Sequence, residues 1–279
     1  MRNNQRRTGR DPESTPVTTV PTTPQPAPLA FSAPTEFVEL PSRGDFYPED
    51  HPFYKQEAIE IRFMTAKDED ILTSEALLKK NLAIDRLLEN LIVADVEPST
   101  LLVGDRSAIL IAARISAYGS EYNVKVRCEE CFATNEIEYN LKSAVLQENC
   151  FDKEFLRDNS VSFNRETNTF DLILPNSGVQ VGLRLVDGKK ERKYSDKETS
   201  KNLVTSLLSL FLVKVDGRLD FDSVMDFIDV MPAGDSKFLR GLFPLLTPSI
   251  KLLKNYRCET CYAQQELEVP LSAEFFWPK

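Results

Sequence analysis

Arg127-Cys128-Glu129-Glu130-Cys131-Phe132-Ala133 recurs as Arg257-Cys258-Glu259-Thr260-Cys261-Tyr262-Ala263, 130 residues further on. Glu136, Glu138 and Leu141 return at the same offset as Glu266, Glu268 and Leu271, and Gly104-Asp105 returns as Gly234-Asp235. A register shared over that length reads as duplication of a domain, with half of a metal site on each copy. Upstream the match continues with gaps: Leu40-Pro41-Ser42-Arg43-Gly44 resembles Leu174-Pro175-Asn176-Ser177-Gly178. Each turn precedes a strand-like stretch, Ala58 to Met64 and Val179 to Leu185. A charged segment follows in each (Lys67 to Asp70; Lys189 to Lys193), and then a leucine-rich helical part. Two unrelated halves with convergent knuckles are the alternative.

The local patterns place the cysteines. Phe37-Val38-Glu39-Leu40 is a short extended stretch entering a turn. Thr65 and Asp68 have the spacing of a capping box, and Leu77, Ile84, Leu88 and Leu91 are spaced as one face of a helix. Asp105 suits the N-cap of a helix from Arg106 to Tyr118, on which Ile109, Ala113 and Ser116 share a face, and Gly119 closes it. Tyr122 to Cys128 then alternates as a strand and Glu136 to Leu141 alternates back. In the second copy Asp235 takes the capping position before Lys237 to Phe243. Each Cys-x-x-Cys is therefore expected at the tip of a β-hairpin, the setting of a zinc knuckle.

Ligand counting then sets the chemistry. A Cys-x-x-Cys turn presents two thiolates, half of a tetrahedral zinc shell. Neither copy has further cysteines or a histidine nearby to close the shell alone. Joining Cys128 and Cys131 to Cys258 and Cys261 gives four soft thiolates around one shared Zn2+, a closed and therefore structural site. A thioredoxin-like dithiol competes, but needs one pair between strand and helix, not two on hairpins. A metal-free, vestigial pair of knuckles is the other alternative. The fifth cysteine, Cys150, stands outside the repeat and reads as a buried thiol.

Composition narrows the class. The 279 residues suffice for two domains, 42% are hydrophobic, and no apolar run approaches a membrane helix. The net charge is −9, and with the first 35 residues at +2 the body carries −11. An acidic body disfavours a nucleic-acid surface, which needs clustered Lys and Arg. Residues 1–35 hold seven prolines between Pro12 and Pro34, interleaved with threonines, and read as a disordered or polyproline-like tail. The body then divides into a first repeat over 36–150 and a second over 151–279. The resulting fold class is α+β: two duplicated, pseudo-twofold-related halves, each with a helical part and a β-hairpin zinc knuckle.

Nothing in the chain spells catalysis. His51 is the only histidine, beside Pro52, which excludes a His-based triad within one chain and reads as a turn residue. There is no glycine-rich phosphate loop, and Asp216, Asp220 and Asp222 lack EF-hand spacing. Arg43-Gly44-Asp45 reads as turn chemistry, and Lys189 to Lys193 as a solvated basic face rather than a nucleic-acid patch.

Several motifs together resemble the baseplate hub subunit and hub assembly family of T-even-type myophages. They are Glu39-Leu-Pro-Ser-Arg-Gly44 with Phe46-Tyr47-Pro48, Met64-Thr-Ala-Lys-Asp-Glu-Asp-Ile-Leu72, Val103-Gly-Asp-Arg106, and Ala113-Arg-Ile-Ser-Ala-Tyr-Gly119 leading to Cys128 and Cys131. The second half joins the resemblance mainly through Cys258 and Cys261. The resemblance implies a non-enzymatic protein of contractile-tail assembly, acting in the host cytoplasm as the hub is built, with other hub or tape-measure proteins as partners. It leaves open a virion component against a transient assembly chaperone. A zinc-ribbon nucleic-acid-binding module is the reading from another class.

Overall fold

The computed structural model describes residues 33–195, 202–269 and 273–276. Residues 33–279 belong to one compact unit. The expectation of a proline-rich tail falls on residues that lie outside the described ones up to Ser32. Its C-terminal end belongs to the body instead: Thr35 opens the first strand, and the Pro34 carbonyl accepts from the Phe63 N–H at 2.8 Å.

Strand β1 (Thr35–Glu39) pairs antiparallel with β2 (Ala58–Arg62). The long connection between them folds inward because Leu40, Phe46, Tyr47 and Phe53 are apolar enough to be buried. At its tight turn Gly44 has φ +68°, and a Cβ there would come within 2.3 Å of the Phe53 carbonyl, so only glycine fits. His51 stacks on Tyr47 and bonds Thr100 Oγ1 at 3.0 Å, while its Nδ1 accepts from the Phe53 N–H. It is a structural turn residue, as its sequence context implies.

Helix α1 (Ala66–Thr73) starts at the capping box expected from Thr65 and Asp68. The single helical face anticipated from Leu77 to Leu91 is broken into α2 (Glu75–Leu78) and α3 (Ala83–Leu91). The break falls at Lys79 to Leu82, where Asn81 adopts φ +53°. Only α3 carries the buried stripe, through Ala83, Leu87, Leu88 and Leu91. The long α4 (Val103–Tyr118) buries Ile109 and Ala113 and ends on Gly119 at φ +85°. It leads into the hairpin of β3 (Glu121–Arg127) and β4 (Thr134–Asn140), whose buried Tyr122, Val124 and Val126 alternate with exposed residues.

After β5 (Val145–Gln147) and α5 (Lys153–Asp158), a four-stranded antiparallel sheet runs β6 (Ser162–Asn164), β7 (Thr169–Ile173), β8 (Gln180–Leu183) and β9 (Leu212–Val215). Helices α6 (Gly188–Ser195) and α7 (Leu203–Phe211) lie between its last two strands in sequence. Then come α8 (Phe221–Val230), α9 (Ala233–Leu246), the short β10 (Ser249–Lys251), and the second hairpin, β11 (Leu253–Arg257) with β12 (Gln264–Glu268). The fold is mixed α+β, with small antiparallel sheets and nine helices among the described residues. Asp216 accepts from the Gln180 N–H and Asp220 caps α8, so neither forms a calcium loop.

The two stretches 36–150 and 151–279 are interlocked. Strand β10 pairs with β5 across them. A Cβ on Gly104 of α4 would lie 1.9 Å from the Pro248 carbonyl, so α4 sits directly on the chain entering β10. Arg114, buried in α4, donates to the carbonyls of Phe275, Gly119 and Glu121 at 2.7–3.1 Å. In the Lys189–Lys193 segment Lys189 and Lys193 are exposed, as a solvated face requires, while Lys190 and Arg192 are half-buried. Lys189 bonds Glu97 at 2.9 Å, Arg192 bonds Asp85 at 2.9 Å, and Lys190 Nζ donates to the Leu210 carbonyl. Its charges tie α6 to the region around α3. One buried cluster runs from Val38 to Phe276.

Candidate metal centre

Each hairpin narrows to a turn whose backbone is written by the same residues. The Cys128 N–H donates to the Ala133 carbonyl at 2.9 Å and the Phe132 N–H to the Cys128 carbonyl at 3.0 Å. The second turn has the same two bonds at the same lengths, Cys258 to Ala263 and Tyr262 to Cys258. Phe132 and Tyr262 stand at φ +60° and +62°, the left-handed position that reverses the chain after the second cysteine. In each copy an arginine covers that aromatic, with Arg127 and Arg257 both 5.0 Å from the ring centres.

The turns face each other and bring together all four cysteines singled out in the sequence. The Sγ atoms of Cys128, Cys131, Cys258 and Cys261 all lie within 4.8 Å of one another. The close approaches run between the hairpins: Cys128 to Cys261 at 3.7 Å and Cys131 to Cys258 at 3.6 Å. A tetrahedron with Zn–S bonds of about 2.3 Å has S···S edges of about 3.8 Å, so the sulfurs stand at the spacing of a four-thiolate shell. Cys128 and Cys258 are buried, Cys131 is half-buried and Cys261 exposed. Cys150 lies apart from the cluster, and burial pushes its thiol up to about 12.

Backbone and side-chain donors point at the sulfurs. The Cys261 N–H, with the Thr260 N–H at 3.4 Å and the Asn135 amide at 3.6 Å, stabilises the Cys258 thiolate and brings it down to about 6 against the cost of burial. For Cys261 the Ala263 N–H favours the thiolate, but partial desolvation and the three neighbouring sulfurs prevail and push it up to about 12. The thiols of Cys258 and Cys261 are thus shifted in opposite directions, and a cation held among the four sulfurs would favour the thiolate of each.

Two residues that sequence reading missed hold the hairpins together. Asn135 accepts from the Glu259 N–H at 3.0 Å, and Gln265 accepts from the Glu129 N–H at 3.3 Å. Asn135 and Gln265 are themselves 130 residues apart, as are Glu129 and Glu259. Each hairpin thus lends an amide to the other's turn. The shared offset carries this signal, but an Asn matched with a Gln is lost beside identical residues.

The aspartates of the repeated Gly-Asp pairs are not N-caps. Helix α4 starts after Leu102 and α9 after Pro232, which puts Asp105 and Asp235 inside the first turns. Asp105 instead accepts from the Ser42 N–H at 3.0 Å and from the hydroxyls of Ser42 and Tyr47 at 2.6 and 2.7 Å. Asp235 accepts from the N–H groups of Asn176 and Ser177, both at 2.9 Å. The two similar turns noted upstream, at Leu40 and at Leu174, thus each dock on the aspartate of a following helix. Helix α9 also continues past the expected end at Phe243, carrying Pro244 within its last turn.

Residues 35–277 match the family model described as T4 bacteriophage base plate protein, and the chain belongs to that family. No curated protein and no solved structure matches it. Family membership supports a structural role in a phage baseplate, among other baseplate proteins. Among the described residues no helix is long and apolar enough to cross a membrane.

Proposed function

We propose that this protein is a non-enzymatic component of the baseplate hub, built from two duplicated halves and stapled by one structural Zn2+ on Cys128, Cys131, Cys258 and Cys261. The observation that carries the reading is the four-sulfur cluster, two ligands from each repeat, in a member of a baseplate family. A shell of four thiolates leaves no open coordination position, so the metal's work is to fix one hairpin against the other. The duplication is supported by paired contacts as well as by letters: the matched turns, the crossed amides of Asn135 and Gln265, and the docked aspartates Asp105 and Asp235. The first repeat spans 36–150 and the second 151–279.

Joining the halves through one metal gives a rigid surface for hub or tape-measure proteins, assembled in the host cytoplasm and retained in the virion tail. The test is mass spectrometry of purified tails beside infected lysate, with zinc measured on the isolated protein. Presence in mature tails with about one zinc per chain supports the proposal. A protein abundant in lysate and missing from tails is a transient assembly chaperone instead. Tight binding to oligonucleotides by the purified chain would move it to the nucleic-acid class.

A further inference from the structure

We infer that the cavity between α6, α7 and α8 is a binding site for an acidic, apolar-anchored peptide segment of a neighbouring protein. The cavity has a volume of about 780 Å³, the size that takes a few side chains of a peptide. None of the cysteines lines it. Its lining joins three cations, Arg184, Lys190 and Lys193, and one carboxylate, Asp229, to the apolar Leu219, Phe221 and Val224.

Three observations fix the chemistry of the occupant. Arg184 and Lys190 both line the cavity, and burial, then the Arg184 charge, lowers the Lys190 ammonium below its usual range despite Asp187. Arg184 spends one amino group on the Thr167 carbonyl, while its buried Nε has no hydrogen-bond partner among the described residues. Such an arrangement of two close cations and an unused donor on an acidic protein calls for a carboxylate. The rim supplies the other half, since Leu219 and Phe221 are 52% and 65% exposed beside it. Large apolar side chains left in water around a concave site mark a contact surface. A carboxylate at Arg184 and Lys190, with an apolar residue of the same segment against Phe221, answers both the cationic and the apolar part of the lining.

The test uses the full chain and an anionic aromatic reporter, 8-anilinonaphthalene-1-sulfonate, displaced by N-acetyl-Asp-Glu-Leu-Phe amide or its Asn-Gln-Leu-Phe counterpart. The acidic peptide is expected to displace the reporter at about tenfold lower concentration than the neutral one. Lys190→Gln and Phe221→Ser should each weaken displacement several-fold with an unchanged circular dichroism spectrum. Lys193→Gln, at an exposed position, provides a second charge variant should Lys190→Gln fold poorly. Equal displacement by the two peptides, or insensitivity to both lysine changes, would overturn the inference. Stronger displacement by an oligothymidylate than by the acidic peptide would overturn it in favour of a nucleic-acid ligand. Neither result depends on zinc content or on incorporation into tails, so failure here leaves the hub reading standing.

Discussion

The two cysteine hairpins resemble each other closely, whereas the two aspartate-docked turns resemble each other only in outline. The hairpin turns share both backbone bonds and an arginine over an aromatic ring at the same distance. The docked turns keep the aspartate and change everything around it: one N–H and two hydroxyls serve Asp105, two N–H groups serve Asp235. Under the proposed shared metal, four sulfurs would have to reach one point, which leaves little room for variation. A buried carboxylate needs only enough donors, from whatever source. Geometry is held where one point is shared and drifts where a count suffices.

The sharpest way to break that comparison is to remove one sulfur. Cys128→Ser or Cys258→Ser is expected to take bound zinc from about one per chain to none, since two or three ligands hold the metal poorly. Structural zinc contributes on the order of 10 kcal/mol to folding of small peptides. Here the hairpins are also anchored by β5–β10 pairing and by Arg114, so the loss should reach several kcal/mol without unfolding the body. Metal analysis beside thermal melting measures both. Two zincs per chain, or a disulfide that turns over, would sink the shared site.

The aspartates come next. Asp105→Ala strands a buried backbone N–H and the hydroxyls of Ser42 and Tyr47, at roughly 1–3 kcal/mol for each unsatisfied group. We expect about 4 kcal/mol in total, against about 2 kcal/mol for Asp235→Ala, whose freed N–H groups are only part-buried. Urea midpoints at constant m-value check the order. Equal losses would mean that the turns, and not the donors around them, set the energy.

Much of this was legible in the letters. The cysteine hairpins, the Thr65–Asp68 box, the Gly119 stop and the buried Cys150 follow from local rules that act within a few residues. What stayed hidden was non-local. Asp105 and Asp235 have an N-cap's residue type but sit inside the first helical turn, and their carboxylates are claimed by turns about 60 residues earlier in the chain. Within the basic run the half-buried places of Lys190 and Arg192 were hidden because Asp85, the partner of Arg192, lies about a hundred residues away. The break at Asn81 interrupts a leucine spacing that otherwise fits a continuous helix.

A pH series separates two buried carboxylates of opposite sign. Burial opposes the Asp68 charge, but Arg62 and Thr65 outweigh it and hold the carboxyl at about 2. Its contribution is complete above the ordinary carboxylate value of 3.8 and is lost as pH falls toward about 2. That difference is worth about 2 kcal/mol at neutral pH. For Asp105 burial dominates and raises the carboxyl despite Ser42 and Tyr47. Stability from that group is therefore present at low pH and falls as pH rises through its raised value. Asp68→Asn should flatten the acid limb of the stability curve, while Asp105→Asn should remove the opposing slope. If Asp68→Asn leaves the acid limb unchanged, the Arg62 pair is not what holds α1.

The smallest effect tests the pseudo-twofold itself. Asn135 and Gln265 each accept from the opposite turn, so perfect equivalence would make their removal equally costly. They are not equally placed. Asn135 is buried, bonds Glu259 at 3.0 Å and also donates to the Cys258 sulfur. Gln265 makes its longer bond to Glu129 at an exposed site and shares its oxygen with the Tyr256 hydroxyl. Asn135→Ala should therefore cost about 1.5 kcal/mol and speed zinc release to a chelator. Gln265→Ala should cost about 0.5 kcal/mol and leave release nearly unchanged. The paired measurement is urea stability with zinc transfer to a colorimetric chelator. Equal release rates in the two variants would show that the bond to sulfur carries no weight, and that the amides act only by bridging the hairpins. A faster release from Gln265→Ala would reverse the assignment and make the exposed side of the cluster, at Cys261, the gate for metal loss.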